Sequence, residues 1–148
     1  MVDNPYAPPK ASVQDVQPGE VEMEKPAQVV MAVRLLWASV AIGIVNSALS
    51  MKFIASAVSI PFMIGSLSAT LLINAWLISK LSIGRNWARI TLLVFAVIGF
   101  PIALVGLPLT IKMFPLVSLV SVVQMVMQAI ALWLVFRKPG REWFAPRY

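Results

Sequence analysis

The side chains that could perform catalytic chemistry are few, and they lie outside the long apolar segments of this sequence. Cysteine and histidine are both absent, so the chain lacks a thiol nucleophile, a disulfide and the commonest metal ligand. The six acidic residues are Asp3, Asp15, Glu20, Glu22, Glu24 and Glu142. Because acid–base and nucleophilic catalysis need such groups near substrate, we predict no catalytic residue, no metal site, no cofactor and no enzymatic activity.

The polar side chains inside the apolar segments are amides and small hydroxyl groups. At helical spacing, Asn46, Asn74, Gln124 and Gln128 each belong to a stripe of small or polar residues. Such amides hydrogen-bond between membrane helices, at about 0.6 kcal/mol on average, and small residues allow close approach. The same residues could instead line a polar pathway or substrate cavity. We favour packing, and expect the stripes to close the interior without room for water.

Composition and segment length predict the elements that must position these residues. Apolar residues make up 59 % of the 148-residue chain and charged residues 12 %, against roughly 45–50 % and 25 % in soluble domains. The apolar segments are residues 29–50, 60–79, 89–111 and 115–136. About 20 helical residues span the hydrocarbon core, where helices satisfy their own backbone groups. We therefore predict an all-α integral membrane four-helix bundle within residues 29–136.

The distribution of charge predicts the orientation of this bundle. Ten of the 12 Lys and Arg residues lie in or beside the N-terminal segment, the second loop or the C-terminal segment, and Lys52 and Lys112 occupy the other two loops. Basic residues accumulate in short cytoplasmic loops. We predict that both termini are cytoplasmic. The proline-rich residues 1–28 would form a disordered tail, and residues 137–148 a basic aromatic tail.

Two segments of similar sequence follow the second and fourth apolar segments. Gly84-Arg85-Asn86-Trp87 comes after Trp76, and Gly140-Arg141-Glu142-Trp143 comes after Trp133. One interpretation is a duplicated helical hairpin, with its symmetry axis along the membrane normal. The other is convergence, because Trp and Arg favour the cytoplasmic interface and Gly ends helices. Both interpretations stay open.

Arginine and tryptophan side chains near these segments are candidate interfacial anchors. They are Trp76, Arg85, Trp87, Arg89, Trp133, Arg137, Arg141 and Trp143. Trp rings settle at headgroup depth, and Arg extends its charge to the interface. The alternative is a binding site for a partner protein or for anionic lipid. Since these residues adjoin spanning segments, we predict that they meet the bilayer and anionic headgroups rather than nucleic acid.

The N-terminal residues carry a resemblance to known proteins. Asn4-Pro5-Tyr6, with Pro9 three residues later, gives an Asn-Pro-Tyr-x-x-Pro motif. It resembles the N-terminal tails of small four-pass bacterial inner-membrane proteins that consist of a domain of unknown function. Residues 84–89 and the Trp143-Phe144 pair look similar to segments of such proteins. The resemblance implies a bacterial cytoplasmic membrane, and no activity, ligand or catalytic residue transfers with it.

Two functions compete on the sequence alone. The first is a structural or accessory protein that binds another membrane protein, a second copy of itself or lipid. The second is a small transporter or channel subunit that acts as an oligomer. Small multidrug exporters resemble this chain in size only, because they depend on a membrane-embedded glutamate that has no counterpart between Lys25 and Arg141. The sequence favours the accessory function.

Overall fold

The computed structural model describes residues 25–54 and 58–144 and contains four long helices and one short helix. They are α1 (Ala27–Ile54), α2 (Ile60–Ser82), α3 (Asn86–Met113), α4 (Pro115–Phe136) and α5 (Gly140–Trp143). No strand occurs in these two ranges, so the predicted all-α four-helix bundle is confirmed. The four long helices are long and apolar enough to cross a bilayer, which indicates a multi-pass membrane protein.

Helix boundaries follow the predicted segments closely, although α1, α2 and α3 each extend two to four residues past at least one predicted boundary. Helix α4 has the predicted bounds, and Pro115 and Pro61 lie in the first turns of α4 and α2, where a missing N–H costs little. Helix α1 begins at Ala27, so residues 27 and 28 are helical and do not belong to the predicted tail. The Pro26 carbonyl accepts hydrogen bonds from two amides of the first turn, which starts the helix there. Residues 1–24 of that predicted tail lie outside the described residues.

The turn between α2 and α3 is short and has a defined geometry. Gly84 adopts φ +85°, a left-handed conformation that L side chains rarely take. Its N–H donates to the Leu81 carbonyl at 3.0 Å, and the Arg85 N–H donates to the Lys80 carbonyl at 3.1 Å. This pattern is a Schellman motif, which satisfies carbonyls at a helix C-terminus. The motif ends α2 and lets α3 begin two residues later.

The four long helices form a closed ring in chain order, and their tightest packing is at one end. Helix α1 packs against α2 and α4, and α3 packs against the same two helices. The buried apolar side chains are Val29, Ala32, Leu36, Leu77, Ile78, Leu81, Ala88, Leu92, Ala131, Leu132, Val135 and Phe144. All of them lie near the starts of α1 and α3, near the ends of α2 and α4, or just after α5. Because most Lys and Arg residues of the chain are also there, we call this the basic end.

Helix α5 folds the C-terminal segment back across the basic end. Gly140 approaches the end of α4 so closely that a Cβ on it would lie 2.8 Å from the Leu134 carbonyl oxygen. The Trp143 ring covers Gly84 in the α2–α3 turn, and Phe144 is buried in the core. The predicted basic aromatic tail, residues 137–148, therefore contains a packed helix. Its residues 145–148 lie outside the described part of the chain.

Candidate functional site

The interior of the bundle contains a cavity of about 360 Å³ that is lined by all four long helices. Toward the basic end the cavity meets the buried side chains of Leu36, Ile78 and Leu92. Its polar lining residues are Ser39, Asn74, Ser121, Gln124 and Gln128. One water needs roughly 10–15 Å³ by the same measure, so several waters or one small molecule would fit.

Gln124 and Gln128 have unused hydrogen-bonding groups at the wall of this cavity. Both are half-buried, and within the described residues neither side chain has a hydrogen-bond partner. By contrast, Ser39 and Asn74 donate to backbone carbonyls of their own helices, at 2.8 and 2.9 Å. An amide in an apolar environment without hydrogen bonds costs several kcal/mol. The polar atoms of both glutamine amides are accessible from the cavity, so each can hydrogen-bond to water or a solute there.

The seam between α1 and α4 runs alongside the cavity and uses two of the predicted stripes. The Asn46 side-chain amide donates to the Ser121 hydroxyl at 2.9 Å, which joins the two helices. A Cβ on Gly43 would lie 2.9 Å from Gln124 Nε2, so the glycine provides the space that this amide occupies. Of the four stripe amides, Asn46 thus joins two helices, whereas Asn74, Gln124 and Gln128 line the cavity.

The expectation that the stripes close the interior without room for water is wrong. The wall contributed by α3 includes Gly99 and Ala103, whose side chains are too small to reach the opposite helices. A Cβ on Gly99 would find no atom within 4 Å. The small residues that were predicted to permit close helix contact leave space at this level instead.

Two of the predicted anchoring tryptophans are largely exposed on the outer surface near the basic end. Trp76 and Trp133 are 54 % and 56 % exposed. The Trp76 ring packs against the Trp87 ring with centroids 5.0 Å apart, and the Arg137 guanidinium lies 4.6 Å from the Trp133 ring centroid. Trp133 thus contacts a basic side chain and Trp76 another aromatic ring, and the interfacial role of both stays a prediction.

Arg89 differs from the other predicted anchors because its guanidinium is enclosed by aromatic rings. Its central carbon lies 5.0 Å from the Phe136 ring centroid and 5.2 Å from the Phe144 ring centroid. Its Nε donates to Asn86 Oδ1 at 2.6 Å. Arg85 and Arg141, in contrast, are exposed. The sequence analysis missed this aromatic enclosure, because Phe136 and Phe144 are distant in sequence from Arg89.

The two similar Gly-Arg-x-Trp segments make different local contacts. Trp87, at the start of α3, packs on Trp76 of α2, whereas Trp143 covers Gly84 in the turn between α2 and α3. Lys25, just before α1, also lies 5.6 Å from the Trp143 ring. Superposition of whole hairpins about the membrane normal stays a prediction.

No protein family, curated protein or solved structure is detectably similar to this chain. Functional interpretation therefore depends on the cavity and the basic end. Within residues 25–54 and 58–144, no three His, Cys, Asp or Glu side chains are grouped so that they could hold a metal ion. The chemistry that the cavity offers is hydrogen bonding by neutral groups.

Proposed function

We propose that this chain binds a small uncharged solute inside the membrane, as a transporter or channel subunit that acts as an oligomer. The observation that carries the proposal is the interior cavity with the unpaired amides of Gln124 and Gln128. Sequence alone favours an accessory protein, because packing stripes need no interior space. The unfilled space beside these amides supports the second function instead.

The lining residues support a particular class of solute. Among the described residues, no charged side chain lines the cavity, so an ion would receive no countercharge from them. Glutamine amides offer both donors and acceptors, and Phe95 and Phe100 provide apolar surface in the same wall. A small neutral molecule with hydroxyl or amide groups fits both features. The proposal includes no catalytic residue and no nucleic-acid partner.

Cysteine labelling tests whether the cavity is hydrated. In this cysteine-free chain, Q124C and Q128C should react with a membrane-impermeant thiol reagent, because their side chains line a space that admits water. Val126, 49 % exposed on α4 and absent from the cavity wall, provides the control V126C, which should face lipid and stay unlabelled. Labelling is measured by mass spectrometry on the folded protein. Equal, slow labelling at all three positions would show a dry interior.

Filling the cavity tests its role in solute movement. Liposomes containing the protein should take up glycerol or urea faster than empty liposomes, as measured by light scattering. G99L should reduce that uptake by about tenfold, since the leucine side chain would occupy the open space beside Gly99. G65L is the matched control, because Gly65 also has open space around it but lies outside the cavity. Equal uptake by the two variants would contradict the proposed route.

The accessory function has one observation in its favour. Two further grooves, of about 480 Å³ between α1 and α2 and about 230 Å³ between α3 and α4, are lined by small and hydroxyl residues together with large apolar side chains. Membrane helices pack against surfaces of this kind. If a defined membrane protein co-purifies with the gently solubilised chain and liposomes show no uptake, the accessory function replaces the transport function.

In this proposal the membrane is a bacterial cytoplasmic membrane with both termini inside. The distribution of Lys and Arg supports the orientation, and the Asn-Pro-Tyr-x-x-Pro motif supports the location. A reporter that is active only outside the cytoplasm should be silent after Tyr148 and active near Ala55. Activity of the Tyr148 fusion would mean that both termini lie outside the cytoplasm. The proposed solute site in the cavity does not depend on that orientation.

A further inference from the structure

Arg89 has hydrogen-bonding capacity that the described residues do not use. Its Nε bonds to Asn86, Nη1 is shielded from solvent and has no acceptor, and Nη2 is accessible and has no partner in the described residues. The rings of Phe136 and Phe144 hold the guanidinium at centroid distances of 5.0 and 5.2 Å. A buried donor without an acceptor is costly, more so when it is charged. The structure thus contains a fixed cation that lacks a full set of partners.

No carboxylate among the described residues forms an ion pair with the Arg89 guanidinium. Arg141 lies on α5, three residues before Phe144, whose ring centroid is 5.2 Å from the Arg89 guanidinium carbon. Among residues 25–54 and 58–144, Glu142 is the single carboxylate. Its side chain is 62 % exposed and pairs with Lys138 at 3.4 Å. Arg141 therefore lies at the same end of the bundle as Arg89, and Glu142, the carboxylate next to Arg141 in sequence, pairs with Lys138.

We propose that Arg89 and Arg141 form a binding site for the phosphate group of an anionic membrane lipid. A guanidinium presents its donors in a planar fork that matches phosphate oxygens. Exposed Trp76 and Trp133 lie at the same end of the bundle, and tryptophan favours the depth of lipid headgroups. Headgroup phosphate is the anion that is most abundant there. The site is separate from the interior cavity and does not depend on the proposed transport function.

Lipid titration of the full chain tests this site. Delipidated protein in a neutral detergent is titrated with phosphatidylglycerol, and bound lipid is measured by native mass spectrometry. R89Q and R141Q should each weaken binding by about tenfold, because each removes a charged donor to phosphate. R34Q is the matched control: Arg34, near the start of α1 at the basic end, is exposed, has no side-chain partner in the described residues and is not among the predicted anchors. Its affinity should stay within about twofold of the wild-type value.

Three further measurements distinguish a lipid phosphate site from a general charge effect and from a site for free phosphate. R89K keeps the positive charge and loses the fork, so binding should weaken by at least about threefold even if R89Q does not fold. Phosphatidylcholine should bind more weakly than phosphatidylglycerol, and millimolar inorganic phosphate should not displace the lipid. Displacement by inorganic phosphate would assign the site to free phosphate and overturn the lipid proposal, as would equal weakening by R34Q.

A final arm examines the acidic residues of the chain itself. Glu20, Glu22 and Glu24 precede Lys25, whose ammonium lies 5.6 Å from the Trp143 ring. The triple variant E20Q/E22Q/E24Q should bind phosphatidylglycerol no more than about twofold more tightly than the wild type. If wild-type protein does not discriminate between the two lipids and the triple variant does, the compensating anion belongs to the chain, and the proposal fails.

Discussion

G140A should lower the free energy of unfolding by about 1–3 kcal/mol, a large effect for the addition of one methyl group. A Cβ at this position would lie 2.8 Å from the Leu134 carbonyl oxygen and 3.3 Å from the Val135 carbonyl oxygen. Both atoms belong to the backbone of α4, so neither can move aside as a flexible side chain would. The expected response is a displacement of α5 that removes Phe144 from the core.

Unfolding of G140A is measured by far-ultraviolet circular dichroism during titration with a denaturing detergent. G65A is the matched control, because a Cβ on Gly65 finds no atom within 4 Å. Alanine is a better helix former than glycine by up to about 1 kcal/mol, so G65A should be neutral or stabilising. Equal stability of the two variants would mean that α5 does not pack as closely on α4 as the structure indicates.

G84V should destabilise the protein by about 2–3 kcal/mol, for two reasons that add. Gly84 has φ +85°, a conformation in which a β-branched side chain is strained. A Cβ there would also lie 3.0 Å from two ring atoms of Trp143. Both the Schellman motif that ends α2 and the packing of α5 on that turn should therefore weaken. The measurement is the same detergent titration.

G84N separates the two causes. Asparagine tolerates the left-handed region, so this variant keeps the turn geometry. Its stability should be lowered only by the close contact between its side chain and the Trp143 ring. Its loss of stability should be smaller than that of G84V by about 1 kcal/mol or more. If the two variants lose the same stability, backbone strain at Gly84 contributes nothing, and contact with the tryptophan ring explains the whole effect.

These two glycines show how far sequence analysis could reach. The repeated Gly-Arg-x-Trp pattern predicts that both glycines follow helix ends, and both do. It does not reveal that Gly84 supplies a left-handed turn, whereas Gly140 supplies space for a backbone contact within the C-terminal segment. Hydrophobic segment lengths predicted the four spans because apolar residues in lipid must form helices. Contacts across the basic end depend on how chain segments distant in sequence meet, and local patterns do not encode that.

The cavity was missed for a related physical reason. Stripes of Gly, Ser and amide residues are compatible with a closed seam and with an open interior, and the sequence does not distinguish them. Between α1 and α4 the seam is closed by the Asn46–Ser121 hydrogen bond. Beside α3, Gly99 leaves space. Distances between helix axes decide the outcome at each level, and those distances follow from the packing of all four helices together.

Because packing is uneven along the bundle, α2 and α3 can rotate as rigid helices about their well-packed end. All their buried side chains lie near the turn at Gly84, and their far halves lack any. Helix α2 has 23 residues, so its tip lies about 35 Å from that turn. A swing of about 5° about a pivot at the turn would displace the tip by about 3 Å while the contacts at the pivot barely change. Small thermal rotations there would widen and narrow the far end on the microsecond-to-millisecond timescale of collective helix motions.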